Sequence, residues 1–156
     1  MNEGLINLIL TQLFEAYQKE PQRQFTISHA IRENGLDINE TRDFLSNQGW
    51  IRDVLTISGD VFCRITIQGI EHINRTWLMS RLFDIIEGLG TRGGRGDLME
   101  ILEVPATHHA MMLDLVRHLE DLNFARLEHS VVDNNLIAEL TEEGRNIFEN
   151  RPKFFS

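Results

Sequence analysis

Arg64-Ile65-Thr66-Ile67-Gln68-Gly69 is echoed 75 residues later by Glu139-Leu140-Thr141-Glu142-Glu143-Gly144. Each copy sets an apolar residue, a threonine, two further positions and a glycine at the junction of an extended run and a helix. Moving toward the amino terminus, Leu45-Ser46-Asn47-Gln48-Gly49-Trp50-Ile51 is answered by Leu119-Glu120-Asp121-Leu122-Asn123-Phe124-Ala125, with Phe124 standing where Trp50 does. Further out, Thr11 to Tyr17 is answered by Ser80 to Ile86, 69 residues on. A pattern repeated at this spacing sets architecture before any single residue is interpreted: the chain reads as two units, 1–75 and 76–156.

In the first unit Leu5, Ile6, Ile9, Leu10, Leu13, Phe14 and Tyr17 recur at three- and four-residue steps and draw an apolar stripe along a helix that ends near Pro21. Thr26 is placed to open a short second helix through Ile27, Ala30 and Ile31, stopped at Asn34-Gly35. Asp37 precedes Glu40 by three, the spacing of a reciprocal cap, and starts a third helix with Ile38, Thr41, Phe44 and Leu45 inward. Trp50 to Ile57 and Val61 to Thr66 then read as two strands joined at Ser58-Gly59-Asp60. Thr66 is placed to cap a last helix.

The second unit follows the same order. Trp77, Leu78, Leu82, Phe83, Ile85, Ile86 and Leu89 predict a helix that begins almost where the first unit stops. Thr91-Arg92-Gly93-Gly94-Arg95-Gly96 has no counterpart in the first unit and reads as a flexible, locally basic connector. It lacks the lysine and hydroxyl residue of a phosphate loop. Asp97 to Glu103 predicts a short helix, and Thr107 a cap for a helix reaching Leu122 with Met111, Met112, Leu115, Val116, Leu119 and Leu122 buried. Ala125–Glu128 and Leu136–Leu140 are the strand candidates, joined across Ser130 to Asn135, and Phe154 and Phe155 close the chain as aromatics suited to packing on the body or on a partner.

This series, and above all Leu45 to Ile51 running into Ile65-Thr66-Ile67-Gln68-Gly69, resembles the winged helix-turn-helix domains of MarR-like regulators, whose wing exits through leucine, threonine, any, any, glycine. It also resembles tandem winged-helix modules that assemble protein complexes. The resemblance implies an α+β, mostly helical fold made of two winged-helix domains in tandem. It also implies a third helix that enters the major groove and a wing that touches flanking backbone. Carried onto this chain, the nucleic-acid-binding residues would be Asn39, Arg42, Ser46 and Asn47 on the third helix, with Arg52 and Arg64 near the wing. Arg92 and Arg95, the basic spot of the second unit, are the remaining nucleic-acid-binding candidates, so that the first unit or this loop would carry any DNA contact. His108, His109, Asp114, Arg117, Glu120 and Asp121 are the groups that the equivalent second helix would offer.

Charge pulls the other way. The chain has 24 acidic and 15 basic side chains, a formal net charge of -9. Residues 1–75 hold 10 acidic and 7 basic groups, and residues 76–156 hold 14 and 8. Nonspecific nucleic-acid affinity comes from clustered Lys and Arg displacing counterions, which neither half offers as a whole. The two functions to expect are therefore a DNA-associated, regulator-like protein and a protein-interaction or complex-assembly module that does not bind DNA. Either fits a homodimer, with duplex DNA contacted through the first unit in the former case and a protein partner in the latter.

No catalytic constellation is visible, so the expectation is a nonenzyme without cofactor. No two histidines have the three- or four-residue spacing of helical metal ligands, so no metal site is expected. The single cysteine, Cys63, alternates with Val61 and Ile65 and reads as core filler. With no apolar run near 20 residues and no secretory leader pattern, a cytoplasmic protein without membrane contact is expected.

Overall fold

The computed structural model describes residues 2–128 and 135–151. Two of the sequence readings, the second hairpin connection from Ser130 to Asn134 and the Phe154/Phe155 tail, lie outside them. The protein is a predominantly helical α+β chain with two three-stranded antiparallel sheets. It divides into two compact units, Met1–Leu78 and Met79–Ser156.

The first unit runs α1 (Glu3–Lys19), β1 (Phe25–Thr26), α2 (Ser28–Glu33), α3 (Ile38–Asn47), β2 (Ile51–Ile57), β3 (Asp60–Ile65) and the opening of α4 (Ile67–Gly90). Asn2 caps α1 by accepting from the Leu5 N–H at 3.2 Å, and the stripe Ile6, Ile9, Leu10, Leu13, Phe14 and Tyr17 is buried. Each such side chain withdrawn from water contributes roughly 1.5–3 kcal/mol before entropy is counted. Across from it lie Ile31, Leu45, Val61, Cys63, Ile65 and Ile70, all close to fully buried. Trp77 meets the Phe14 ring edge-on at 4.9 Å.

The sheet has the order β1-β3-β2, one strand more than the two-stranded hairpin that the sequence predicts. Thr26 is the last residue of β1, paired with Phe62, and does not cap α2. Its hydroxyl accepts from the Ser28 N–H at 3.3 Å, a turn bond just ahead of the helix.

The second unit takes the rest of α4, then β4 (Arg95–Asp97), α5 (Leu98–Ile101), a 3-10 turn (Ala106–His108), α6 (His109–Asp121), β5 (Ala125–Leu127), β6 (Ile137–Leu140) and α7 (Glu142–Glu149). Inside α4, Asn74 leaves helical geometry at φ -152, ψ 69, and its side chain accepts from the Trp77 N–H at 3.1 Å, restarting the helix. The sheet order, β4-β6-β5, repeats that of the first unit. Leu82, Ile85, Leu89, Leu98, Leu115, Val116, Leu119, Ala138 and Leu140 form its core.

Four sequence readings are corrected here. The glycine-rich segment is not a loose connector: Gly93 (φ 80) and Gly94 (φ 95) turn the chain off the end of α4, with the Gly94 N–H donating to Leu89 O at 2.8 Å, and Arg95 and Gly96 enter β4. Thr107 lies within the 3-10 turn and caps nothing; α6 starts at His109 without a side-chain cap. Leu122 follows the end of α6 and is 43% exposed, whereas Asp114, expected outside, is buried.

Candidate nucleic-acid interface

The α3 face is positioned by its two ends. At the start, the Asp37 carboxylate accepts from the Glu40 N–H at 2.8 Å. At the finish, Gly49 takes a left-handed φ of 74, its N–H donates to Ser46 O at 3.0 Å and the Trp50 N–H donates to Leu45 O at 3.1 Å. This paired closure satisfies carbonyls that the helix end would otherwise orphan. The end of α6 is built alike, with Asn123 at φ 64 donating to Glu120 O at 3.0 Å and Phe124 donating to Leu119 O at 2.9 Å. Trp50 then stacks on His72 at 4.0 Å and meets Phe44 edge-on at 6.0 Å.

Of the residues singled out from the sequence, Asn39, Ser46 and Asn47 are exposed on α3, and Arg42 is half-buried beside them. The Arg42 Nε lies 3.0 Å from the Asp43 carboxylate. Asp37, Glu40 and Asp43 thus set three carboxylates against the single cation of this helix and its cap.

Arg52 and Arg64 face each other across β2 and β3. Like charges so placed repel, and Asp53 sits where the strand register slips, at φ 53, to answer both. Its Oδ2 is 3.3 Å from the Arg64 Nη1 and 3.9 Å from the Arg52 Nε. The Arg64 guanidinium also donates to Pro21 O at 3.0 and 2.6 Å, and its side chain is only 13% exposed. Gln24 donates to the Asp53 carbonyl and braces the same turn.

In the second unit Arg95 makes a two-pronged bond to Glu128, 2.8 Å from Nε and 2.8 Å from Nη2. Arg92 is exposed on the turn after α4. On α6, Arg117, Glu120 and Asp121 are exposed and His109 is half-buried, as is His108 at the end of the preceding 3-10 turn.

The structure therefore groups the named residues as one helix face, one cross-strand pair and one turn with its strand. Arg42, Arg52, Arg64 and Arg95 each have a carboxylate within 4.0 Å in their own unit.

Two features went unread in the sequence. A groove of about 670 Å³ in the second unit has an apolar floor that includes Ile85, Ile101, Leu102, Met111, Met112 and Leu115. Its rim carboxylates Asp84 and Glu87 are paired with Arg81 at 3.1 Å and Arg151 at 2.6 Å. The other is the outer end of β2, where Leu55 is 48% and Ile57 57% exposed. Alternation of apolar residues predicts a strand there but not which face the rest of the unit will leave uncovered.

Among the described residues no three His, Cys, Asp or Glu side chains gather as a metal site. Among them, too, no helix is long and apolar enough to cross a membrane. No protein-family model, curated protein or solved structure matches the chain.

Proposed function

We propose that this chain is a tandem winged-helix protein that works by contacting protein rather than by reading DNA. The winged-helix assignment is supported by the order helix, strand, helix, helix, strand, strand, helix in both units, by the repeated sheet order, and by the matched closures of α3 and α6. In that fold α3 would be the groove-facing helix and β2–β3 the wing.

The observation that favours protein over DNA is the charge on α3. Three carboxylates and one neutralised arginine offer a phosphate backbone repulsion where a DNA reader needs attraction. Asn39, Ser46 and Asn47 could read base edges only after that cost is met. The wing, meanwhile, exposes the apolar Leu55 and Ile57 at its tip, while its two arginines both lie within 4.0 Å of Asp53.

A fluorescence-anisotropy titration on labelled duplexes of mixed sequence, at about 50 and about 200 mM salt, tests this. The expected result is no association tighter than the micromolar range at either salt. Submicromolar binding that collapses between the two salts, and that Arg42→Ala weakens, would overturn the proposal in favour of a DNA-associated regulator.

A further inference from the structure

We propose that the outer edge of β2 is a self-pairing strand through which two copies of this chain associate. This rests on the protein-contact reading and names its partner: a second copy, joined antiparallel about Thr56.

The backbone already has the right polarity. Val61 in β3 spends both of its main-chain groups away from β2: its N–H donates to the Ser28 Oγ at 2.7 Å and its carbonyl accepts from the Ile27 N–H at 3.1 Å. Thr56 is the residue opposite Val61. In an antiparallel ladder a residue opposite such a partner sits in a non-hydrogen-bonded pair, so its own N–H and C=O point the other way. Thr56 therefore aims both groups off the sheet, and β2 is the last strand on that side.

The usual defences of an edge strand are missing along this stretch. Proteins protect edges with charges, proline or bulges. The bulge at Asp53 protects only the inner half of β2, and Val54-Leu55-Thr56-Ile57-Ser58 has neither charge nor proline. Leu55, Thr56, Ile57 and Ser58 are all exposed.

Register selects the second copy. A twofold pairing centred on Thr56 sets Leu55 against the partner's Ile57 and Ile57 against the partner's Leu55, closing both apolar side chains on one face. Thr56 meets Thr56 of the partner subunit on the other face, a favourable cross-strand pair. Asp53 then falls opposite Gly59 of the partner subunit, and no like charges meet. Sliding by one residue to centre on Leu55 would set the Asp53 carboxylate against an isoleucine, a burial that costs. The contact is short, so the dimer is weak and concentration-dependent.

Sedimentation velocity from about 10 to about 500 µM, the range of a weak interface, should show monomer giving way to dimer. Because each copy carries -9, added salt should strengthen the association, opposite to a DNA contact. Thr56→Pro removes the outward N–H without breaking a bond to β3, and should weaken the dimer at least about tenfold with the fold intact.

Under mild oxidation Thr56→Cys should link two copies readily, since residues in a hydrogen-bonded antiparallel pair lie about 5.5 Å apart at Cα, within disulfide reach. The native Cys63 is buried and does not compete. Leu55→Cys should link more slowly.

A chain that is monomeric across the range, or a dimer indifferent to Thr56→Pro and unlinked through position 56, overturns the proposal. So does faster linking at position 55. The protein-contact reading falls separately, on the DNA titration.

Discussion

Thr66 is tied to Gly49: its hydroxyl donates to the Gly49 carbonyl at 2.6 Å while accepting from the Gly69 N–H at 3.0 Å. Its backbone N–H donates to Trp50 O at 3.0 Å. One residue thus joins the end of α3 to the start of α4. In the second unit Thr141 repeats all three bonds, to Asn123 at 2.6 Å, from Gly144 at 3.1 Å and to Phe124 at 3.1 Å. The duplicated threonine and glycine in the sequence are the trace of this joint.

Replacing the hydroxyl with a methyl should therefore damage both units. Thr66→Val and Thr141→Val each lose a cap and a carbonyl partner, for about 1–2 kcal/mol apiece. Urea unfolding checks this. Tryptophan emission follows the first unit, because Trp50 and Trp77 both lie there, and circular dichroism follows the whole chain. A Thr66→Val shift under about 0.5 kcal/mol, the scatter of ordinary surface changes, would show that the bonds hold nothing.

The paired glycines are needed for closeness, since neither has a left-handed backbone. A Cβ on Gly144 would stand 2.0 Å from Phe124 O, and one on Gly69 would stand 2.6 Å from Trp50 O. Both obstacles are main chain and cannot swing aside. Gly144→Ala is expected to cost about 3 kcal/mol or more and Gly69→Ala somewhat less. Gly35→Ala, with open space around it but φ at +68, should cost only about 1–2 kcal/mol. An inverted ranking in denaturant midpoints would refute the steric account.

Helices were legible in this sequence because their stripes are long: α1 buries six residues at helical steps, and chance seldom draws such a pattern. The third strand of each sheet was not. Two residues in β1 and three in β4 are too few to show alternation, and what makes them strands is the free side of β3 or β6, a tertiary fact. The candidate site divides in the same way. Periodicity placed Asn39, Ser46 and Asn47 on the outside of α3, as found. It could not show that Arg64 is held by Pro21, 43 residues away, or Arg95 by Glu128, 33 residues away. Those partners depend on strand register.

The Arg95–Glu128 pair should contribute little to stability despite its geometry. Both side chains are half in water, at 55% and 42% exposure, so solvent screens the attraction. A double-mutant cycle with Arg95→Ala and Glu128→Ala is expected to return a coupling below about 1 kcal/mol, shrinking further in about 1 M salt. A coupling of several kcal/mol would mean that the pair is shielded in a way that its exposure does not suggest.

Cys63 should make the first unit sensitive to alkali. Fully buried in β3, its thiol is pushed by desolvation from 9.0 up to about 12. The folded chain therefore keeps a proton that the unfolded chain gives up above pH 9, and stability falls wherever the unfolded state binds fewer protons. The contribution is fully present below pH 9 and is lost as pH rises from 9 toward 12, at a limiting slope of about 1.4 kcal/mol per pH unit. Cys63→Ala removes this slope while leaving the other groups that titrate at high pH unchanged, so the two proteins' stability curves should converge above pH 9. The same burial means that an aromatic disulfide reagent at pH 8 should modify native Cys63 only as fast as the first unit opens, and denaturant should speed the reaction by orders of magnitude. Parallel stability curves from pH 8 to 11, or rapid modification of the native chain, would show that the thiol is not sealed in the core.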